Sequence, residues 1–209
     1  MRTYGGKMKT ILHLCADLGS DSYPYQLDDK YEVIKIGADI GVENYSPDRV
    51  IHGVIANPVC TEFSRANNQN IGIKADLSIL EHCQRIIKEA SPKWWVIENP
   101  ATGTMKDTLG KPDYTYQPWH YGSPWTKRTA LWGNFNMPDK IYPKWEDVAI
   151  NHELYVRPGR PKCSLAFLHK SAIYHIEEFK PFVEDVKDDN GFRSLCSQGF
   201  ARAFKEANP

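Results

Sequence analysis

Ile51-His-Gly-Val-Ile-Ala56 and Lys93-Trp-Trp-Val-Ile-Glu98 are two short runs that are almost continuously apolar. Strands of a parallel sheet covered on both faces read this way, whereas a half-exposed strand alternates. Between them, Ala75 to Ala90 carries Leu77, Leu80, Cys83, Ile86 and Ile87 at helical spacing, with charged residues on the other side. That pattern predicts an amphipathic helix. Strand, helix and strand of this size make a βαβ unit and set the class as α/β. Working outward, Thr10–Cys15 and Tyr31–Gly37 read as two earlier strands and Arg128–Gly133 as a fifth. A closing helix is expected over Ser197–Ala207, apolar at Phe200, Ala203 and Phe204. Residues 101–143 are rich in Gly, Pro and aromatics. Residues 139–190 show no strong period and read as loops with one or two short elements. The expectation is a mostly parallel open sheet in one domain spanning 1–209, large enough to bury a core.

Charge and cysteine usage narrow the function classes. The 26 basic and 26 acidic side chains cancel. An overall positive field therefore does not draw nucleic acid to the chain, and any such contact must be local, as at Lys127-Arg128. Five cysteines, Cys15, Cys60, Cys83, Cys163 and Cys196, are odd in number and never spaced as CxxC. This pattern fits free thiols in a reducing compartment rather than a disulfide framework or a structural zinc site, and the seven histidines show no ligand spacing, so no metal is expected. No apolar run approaches membrane-spanning length, and Met1–Thr10 does not read as a signal peptide, so no membrane association is expected.

Ligands of open α/β sheets sit outside the carboxyl ends of the strands. The unusual short motifs fall there. Asp17-Leu-Gly-Ser-Asp21 follows the first strand, Asn57-Pro-Val-Cys-Thr-Glu-Phe-Ser64 the third, and Glu98-Asn-Pro100 ends the fourth. Tyr121-Gly-Ser-Pro-Trp-Thr-Lys-Arg128 leads into the fifth. Cys60 alone reads as an idle thiol rather than as a nucleophile. Glu98 changes the balance, because a carboxyl closing an apolar strand is poorly solvated and keeps its proton to higher pH. Lys127-Arg128 adds donors for a carbonyl or a phosphate. Thiol, acid and cation together suit addition of a thiolate to C6 of a pyrimidine, with the acid at N3. C5 is then an enamine carbon able to attack an electrophilic methyl.

These motifs, in this order, resemble the DNA (cytosine-5) methyltransferase family, in its short bacteriophage versions. The resemblance lies in Cys60, Phe63 and Ser64 of the nucleophile loop, Glu98-Asn99, and Tyr121, Gly122 and Pro124 followed by Lys127 and Arg128. It runs over residues 10–135 and implies a Rossmann-like class I methyltransferase fold, S-adenosylmethionine as donor and a flipped-out cytosine of DNA as acceptor. It implies Cys60 as nucleophile and Glu98 as partner of N3 and the exocyclic amine. Arg128, with Lys127, would hold the base oxygen or an adjacent phosphate, and Asn99 would brace the Cys60 loop. Cys15, Asp17 and Gly19 would form the cofactor turn, Asp39 would serve the cofactor ribose or adenine, and Asn57 would line the cofactor side.

The chain departs from the family pattern at several places. Cys15 and Asp17 replace an aromatic and a glycine, Val59 stands where a proline precedes the nucleophile, and Lys127-Arg128-Thr129 replaces two alternating arginines. A separate target-recognition domain is reduced or absent, with residues 135–190 as a small substitute insertion. Arg157, Arg160, Lys162, His169 and Lys170 are its candidate phosphate contacts. Trp125 is the candidate for stacking on a base. A phage origin implies action in a bacterial host's cytoplasm. The alternatives are modification of a free pyrimidine nucleotide, a modified donor, or a non-catalytic DNA- or protein-binding relative.

Overall fold

The computed structural model describes residues 8–16, 18–59 and 76–209. Its centre is a six-stranded sheet built from β1 (Lys9–Leu14), β2 (Tyr31–Ile36), β3 (Gly53–Ala56), β4 (Trp94–Pro100), β5 (Tyr114–Tyr116) and β6 (Thr129–Asn134). The order across the sheet is β2-β1-β3-β4-β6-β5. β2, β1, β3 and β4 run parallel, and β6 enters antiparallel between β4 and β5. Five of the six strands and both long helices lie within a few residues of their sequence-based positions. The unforeseen strand is β5, three residues inside an aromatic- and proline-rich stretch where no period-2 pattern has room to show.

The direction of β6 decides where its preceding loop goes. Thr129 pairs with Pro100, and the Ala101 amide donates to the Arg128 carbonyl at 2.9 Å. A strand entering parallel would begin at the opposite edge. Because β6 is antiparallel, residues 121–128 lie at the carboxyl edge of β4, beside Glu98.

Period 2 splits each strand between two cores. Leu12, Leu14, Val54, Ala56 and Ile97 face Leu80, Cys83, Ile86 and Ile87 of the helix α2 (Ser78–Ala90). Ile11, Ile55, Trp94, Val96 and Leu131 face Phe200 and Phe204 of the closing helix, Gln198–Ala207. A short helix, α1 (Tyr23–Gln26), adds Tyr25 to that second core. Gly199 is required at the start of the closing helix, because a Cβ there would lie 2.1 Å from the Tyr121 carbonyl oxygen. Arg85 of α2 donates to the Val42 and Tyr45 carbonyls at 3.1 and 2.9 Å and ties the segment after β2 onto the helix.

Residues 145–182 fold as four 3-10 turns, Trp145–Asp147, Leu165–Phe167, Lys170–His175 and Glu177–Phe182. They surround a third core, in which Phe179 contacts Trp125 and Phe192. Two further short α-helices are α3 (Met105–Leu109) and α4 (Asp189–Ser194), the closing helix being α5. The loop before β6 carries this lobe. The Thr126 amide donates to the Cys163 carbonyl, and the Leu165 amide donates to Thr126. Phe179 is fully buried, so Phe179→Ala is expected to cost about 3–5 kcal/mol, the range for emptying a buried phenyl site. Chemical denaturation followed by tryptophan fluorescence checks this. A lobe that melted in a separate early transition would show that its core is independent of the sheet.

Candidate active site

Strand register assembles the site before any side chain is considered. His13 on β1 pairs with Ile55 on β3, and Ala56 pairs with Ile97 on β4. One step further, Asn57 stands beside Glu98. By parity His13, Asn57 and Glu98 share the face on which α5 packs, at the carboxyl edge where the loops converge.

The side chains join into one partly buried polar network. The Asn57 amide nitrogen reaches Glu98 Oε2 at 3.1 Å and Asp21 Oδ1 at 3.4 Å. Its oxygen faces His13 Nε2 at 2.7 Å, so the imidazole donates from Nε2. His13 Nδ1 lies 2.8 Å from the Ser22 hydroxyl, which also donates to the Gly19 carbonyl at 3.3 Å. Burial holds the His13 pKa below its ordinary value and keeps the ring neutral. Both amide hydrogens and the oxygen of Asn57 are thus engaged within the protein. Asp21 also accepts from Ser20 Oγ at 3.3 Å.

Glu98 has its pKa raised, first by burial, with the negative charge of Asp21 acting in the same direction. The Lys127 charge and the Asn57 hydrogen bond oppose the rise. Lys127 is held in place by the Ser194 and Leu195 carbonyls at 2.9 and 3.1 Å. Its ammonium therefore sits as a fixed positive charge near the acid. Arg128, the next residue, is exposed. Asn99 is buried, and its amide donates to the Pro58 carbonyl at 2.9 Å, two residues before Cys60. Asn99 Oδ1 finds no donor among the described residues. Cys60 itself, with residues 61–75, lies outside the described residues, as does Asp17.

On the neighbouring side, β1 ends in Cys15 with a left-handed backbone, φ 57°. Gly19 is also left-handed, φ 68°, and a Cβ there would lie 2.7 Å from the Lys35 side chain. The left-handed backbone is what favours glycine here, since the Lys35 chain can move aside. The Ala16 amide donates to the Ile36 carbonyl, which holds the turn against β2. Asp39 is exposed in the turn after β2. The Ser20 hydroxyl accepts from the Cys196 amide at 3.0 Å, and Gln198 Nε2 donates to the Ser20 carbonyl at 2.9 Å. The end of the chain thereby clamps the turn.

One expectation about the surroundings changes. Trp125 is 1% exposed and packs on Phe179 with ring centroids 5.2 Å apart, so it is a core residue of the lobe and offers no face to a base. Several basic residues of the lobe rest on neighbouring groups. Arg157 lies over the Phe167 ring at 4.7 Å, Lys162 over Trp119 and Trp145 at 5.2 and 5.4 Å, and Lys170 Nζ donates to the Lys187 carbonyl. Arg160 is exposed, and His169 Nδ1 lies 3.0 Å from the Ser171 hydroxyl. Asp188 and Asp189 are structural groups. Asp188 caps α4 by accepting from the Gly191 amide, and Asp189 pairs with Arg193 at 3.3 Å. Sequence reading passed over His13, Asp21 and Ser22. Strand parity was the available signal for the first of these.

Among the described residues no group of three His, Cys, Asp or Glu is arranged to hold a metal ion, and no helix is long and apolar enough to cross a membrane.

No known family profile matches this chain. Its sequence is similar to the "Probable DNA (cytosine-5)-methyltransferase" of Frog virus 3 (isolate Goorha), 35% identical where the two align. The match covers 38% of this chain and 44% of the viral protein, so it spans less than half of that relative's length. The structure is similar to that of an Entamoeba histolytica methyltransferase, EhMeth, with a TM-score of 0.56, 10% identity, and coverage of 97% of this chain and 98% of the other. A protein of an E. coli prophage, described as a DNA modification methyltransferase, overlaps 79% of this chain and 54% of its own at a TM-score of 0.40 and 17% identity. The fold is the Rossmann-like class I methyltransferase fold, and the chain's resemblance to DNA (cytosine-5) methyltransferases holds in sequence as well as in motif order.

Proposed function

We propose that this chain transfers a methyl group to C5 of cytosine in DNA, with Cys60 as the nucleophile and Glu98 as the acid. The observation that carries the reading is Glu98: a half-buried carboxyl with a raised pKa, beside the fixed charge of Lys127, on the sheet edge from which Asn57-Pro58-Val59 leads into Cys60. A viral relative bearing the name DNA (cytosine-5)-methyltransferase supports the choice of substrate. In this reading the Cys60 thiolate adds to C6, and the Glu98 proton meets the electron density arriving at N3. C5 then bonds to the methyl carbon as that carbon's bond to its donor breaks, and the C5 proton leaves to water. The C5–C6 double bond re-forms as the C6–sulfur bond breaks to release the Cys60 thiolate, and N3 returns its proton to Glu98.

The donor in this reading is S-adenosylmethionine, which supplies the electrophilic methyl group. The residues fit such a molecule. The left-handed turn at Cys15 and Gly19 presents backbone at the carboxyl end of β1, and the exposed Asp39 carboxylate after β2 suits ribose hydroxyls. Asn57 stands between this side and Glu98, with its side chain committed to the acid network. Residues 135–190, whose lobe is anchored on the loop that carries Lys127, serve as the reduced substrate-facing element, with Arg128 and Arg160 as exposed cations for phosphates.

Mass spectrometry of nucleosides tests the function directly. DNA incubated with the protein and methyl-labelled S-adenosylmethionine is expected to yield labelled 5-methylcytosine, while dCMP in the same assay stays unlabelled. Label on the free nucleotide alone would transfer the reading to a nucleotide-modifying enzyme.

A further inference from the structure

Glu98 does not stand alone at the sheet edge. Asp21, on the turn after β1, and Glu98, on β4, are far apart in sequence, yet each accepts from the same amide nitrogen of Asn57. The Asn57 oxygen lies 2.7 Å from His13 Nε2, and His13 Nδ1 lies 2.8 Å from the Ser22 hydroxyl. With its oxygen on the His13 side, the amide turns its nitrogen toward both carboxyl groups.

We propose that Asp21 is a positioning residue for the reaction: through the shared Asn57 amide it fixes the place of the Glu98 carboxyl, and by its negative charge it sets the protonation in which Glu98 meets the base. This rests on the assignment of Glu98 as the acid of cytosine methylation. Two carboxyl groups around one donor disfavour double ionisation, because the second negative charge must form beside the first in a poorly solvated site. Desolvation is the larger cause that raises Glu98, and the Asp21 charge adds to it.

The other groups facing Glu98 act on the same balance. Lys127, from the loop before β6, opposes Asp21, and the Asn57 hydrogen bond opposes it too. Tyr116 of β5 and Cys196 before α5 each lie within the field of Glu98, and burial holds both in their protonated, neutral forms. His13 is neutral. Asp21 is therefore the one negative charge acting on Glu98 among the described residues, and its removal has a definite sign.

The test follows the Glu98 carboxyl by carbon-13 NMR in protein labelled at glutamate, with the signal assigned by its loss in Glu98→Gln. Asp21→Asn, close in shape, is expected to lower the Glu98 midpoint by about one pH unit. Asn57→Ala, which removes a bond to the ionised form, is expected to raise it. In single-turnover methylation of DNA, the pH at which the rate falls should move down in Asp21→Asn and up in Asn57→Ala. A loss of packing alone would lower the rate without moving the midpoint in opposite directions. An unshifted midpoint in Asp21→Asn overturns the proposal. Absence of DNA methylation by the wild-type protein overturns the functional assignment and the catalytic part of the proposal, while the titration still decides whether the two carboxyl groups are coupled.

Discussion

Cys60→Ser is expected to abolish formation of 5-methylcytosine, with a loss on the order of 10⁴-fold or more, the scale seen when a covalent nucleophile is removed. Cytosine C5 is too weak a nucleophile to take a methyl group until a thiolate has added at C6, and a serine hydroxyl does not ionise to any useful extent near neutral pH. The wild-type protein should also form a denaturation-resistant adduct with DNA containing 5-fluorocytosine in the presence of S-adenosylmethionine. After transfer, fluorine stands where a proton would have to leave, so the C6–sulfur bond cannot break by the usual elimination. Peptide mass mapping should place the adduct on the peptide carrying Cys60. An active enzyme with no adduct on that peptide would exclude the covalent route and leave Glu98 and Lys127 serving a different reaction. Asn99 belongs to the same test. Its amide bond to the Pro58 carbonyl braces the strand end leading to Cys60.

How far the fold could be read in advance depends on what each segment buries. β3 and β4 are covered on both faces, so their runs are apolar throughout and stand out, and α2 carries one apolar stripe that a periodic reading finds at once. Strand direction leaves no such mark. Nothing local in Thr129–Asn134 says that β6 runs against β4, because direction is set by what the chain does between the strands. The lobe of residues 145–182 escaped for a different reason. Its 3-10 turns present side chains with a period of three over spans of three to six residues, too short to register, and its apolar residues pack only when brought together by the loop at Thr126.

The site was legible where chemistry and spacing coincide and hidden where a polar residue sits inside an apolar strand. Glu98 stands at a strand end and announces itself. His13 lies within Ile11-Leu12-His13-Leu14 and reads as an interruption, although its parity matches that of Asn57 and Glu98 across the sheet. Trp125 shows the converse. Lys127, two residues on, acts on Glu98, but adjacency in sequence says nothing about where an indole points, and this one fills the lobe core.

Glu98→Gln is expected to lower the methylation rate by roughly 10²–10³-fold, the range for removing one group that stabilises charge in a transition state. Glutamine keeps the shape and an N–H donor toward the base, so DNA binding should change little and the loss should fall on the chemical step. The pH dependence carries the sharper information. Burial raises the pKa of Glu98, so the acid form persists above the ordinary carboxylate range. The wild-type rate should therefore be full at lower pH and decline as pH rises through the raised value, provided Cys60 can still supply thiolate, whereas that limb should vanish from the residual rate of the glutamine variant. Stability should move with a related sign. A carboxyl whose folded pKa lies above its unfolded value contributes stability below the unfolded pKa, and that contribution is lost as pH rises through the folded one. Above that range the wild-type protein carries an ionised carboxyl in a poorly solvated place, and the neutral glutamine does not. Thermal melts across the same pH range should show Glu98→Gln gaining on the wild type as pH increases. A variant that lost stability at high pH would mean that Lys127 more than offsets the burial of the ionised acid. The catalytic acid would then have to be sought elsewhere on this edge.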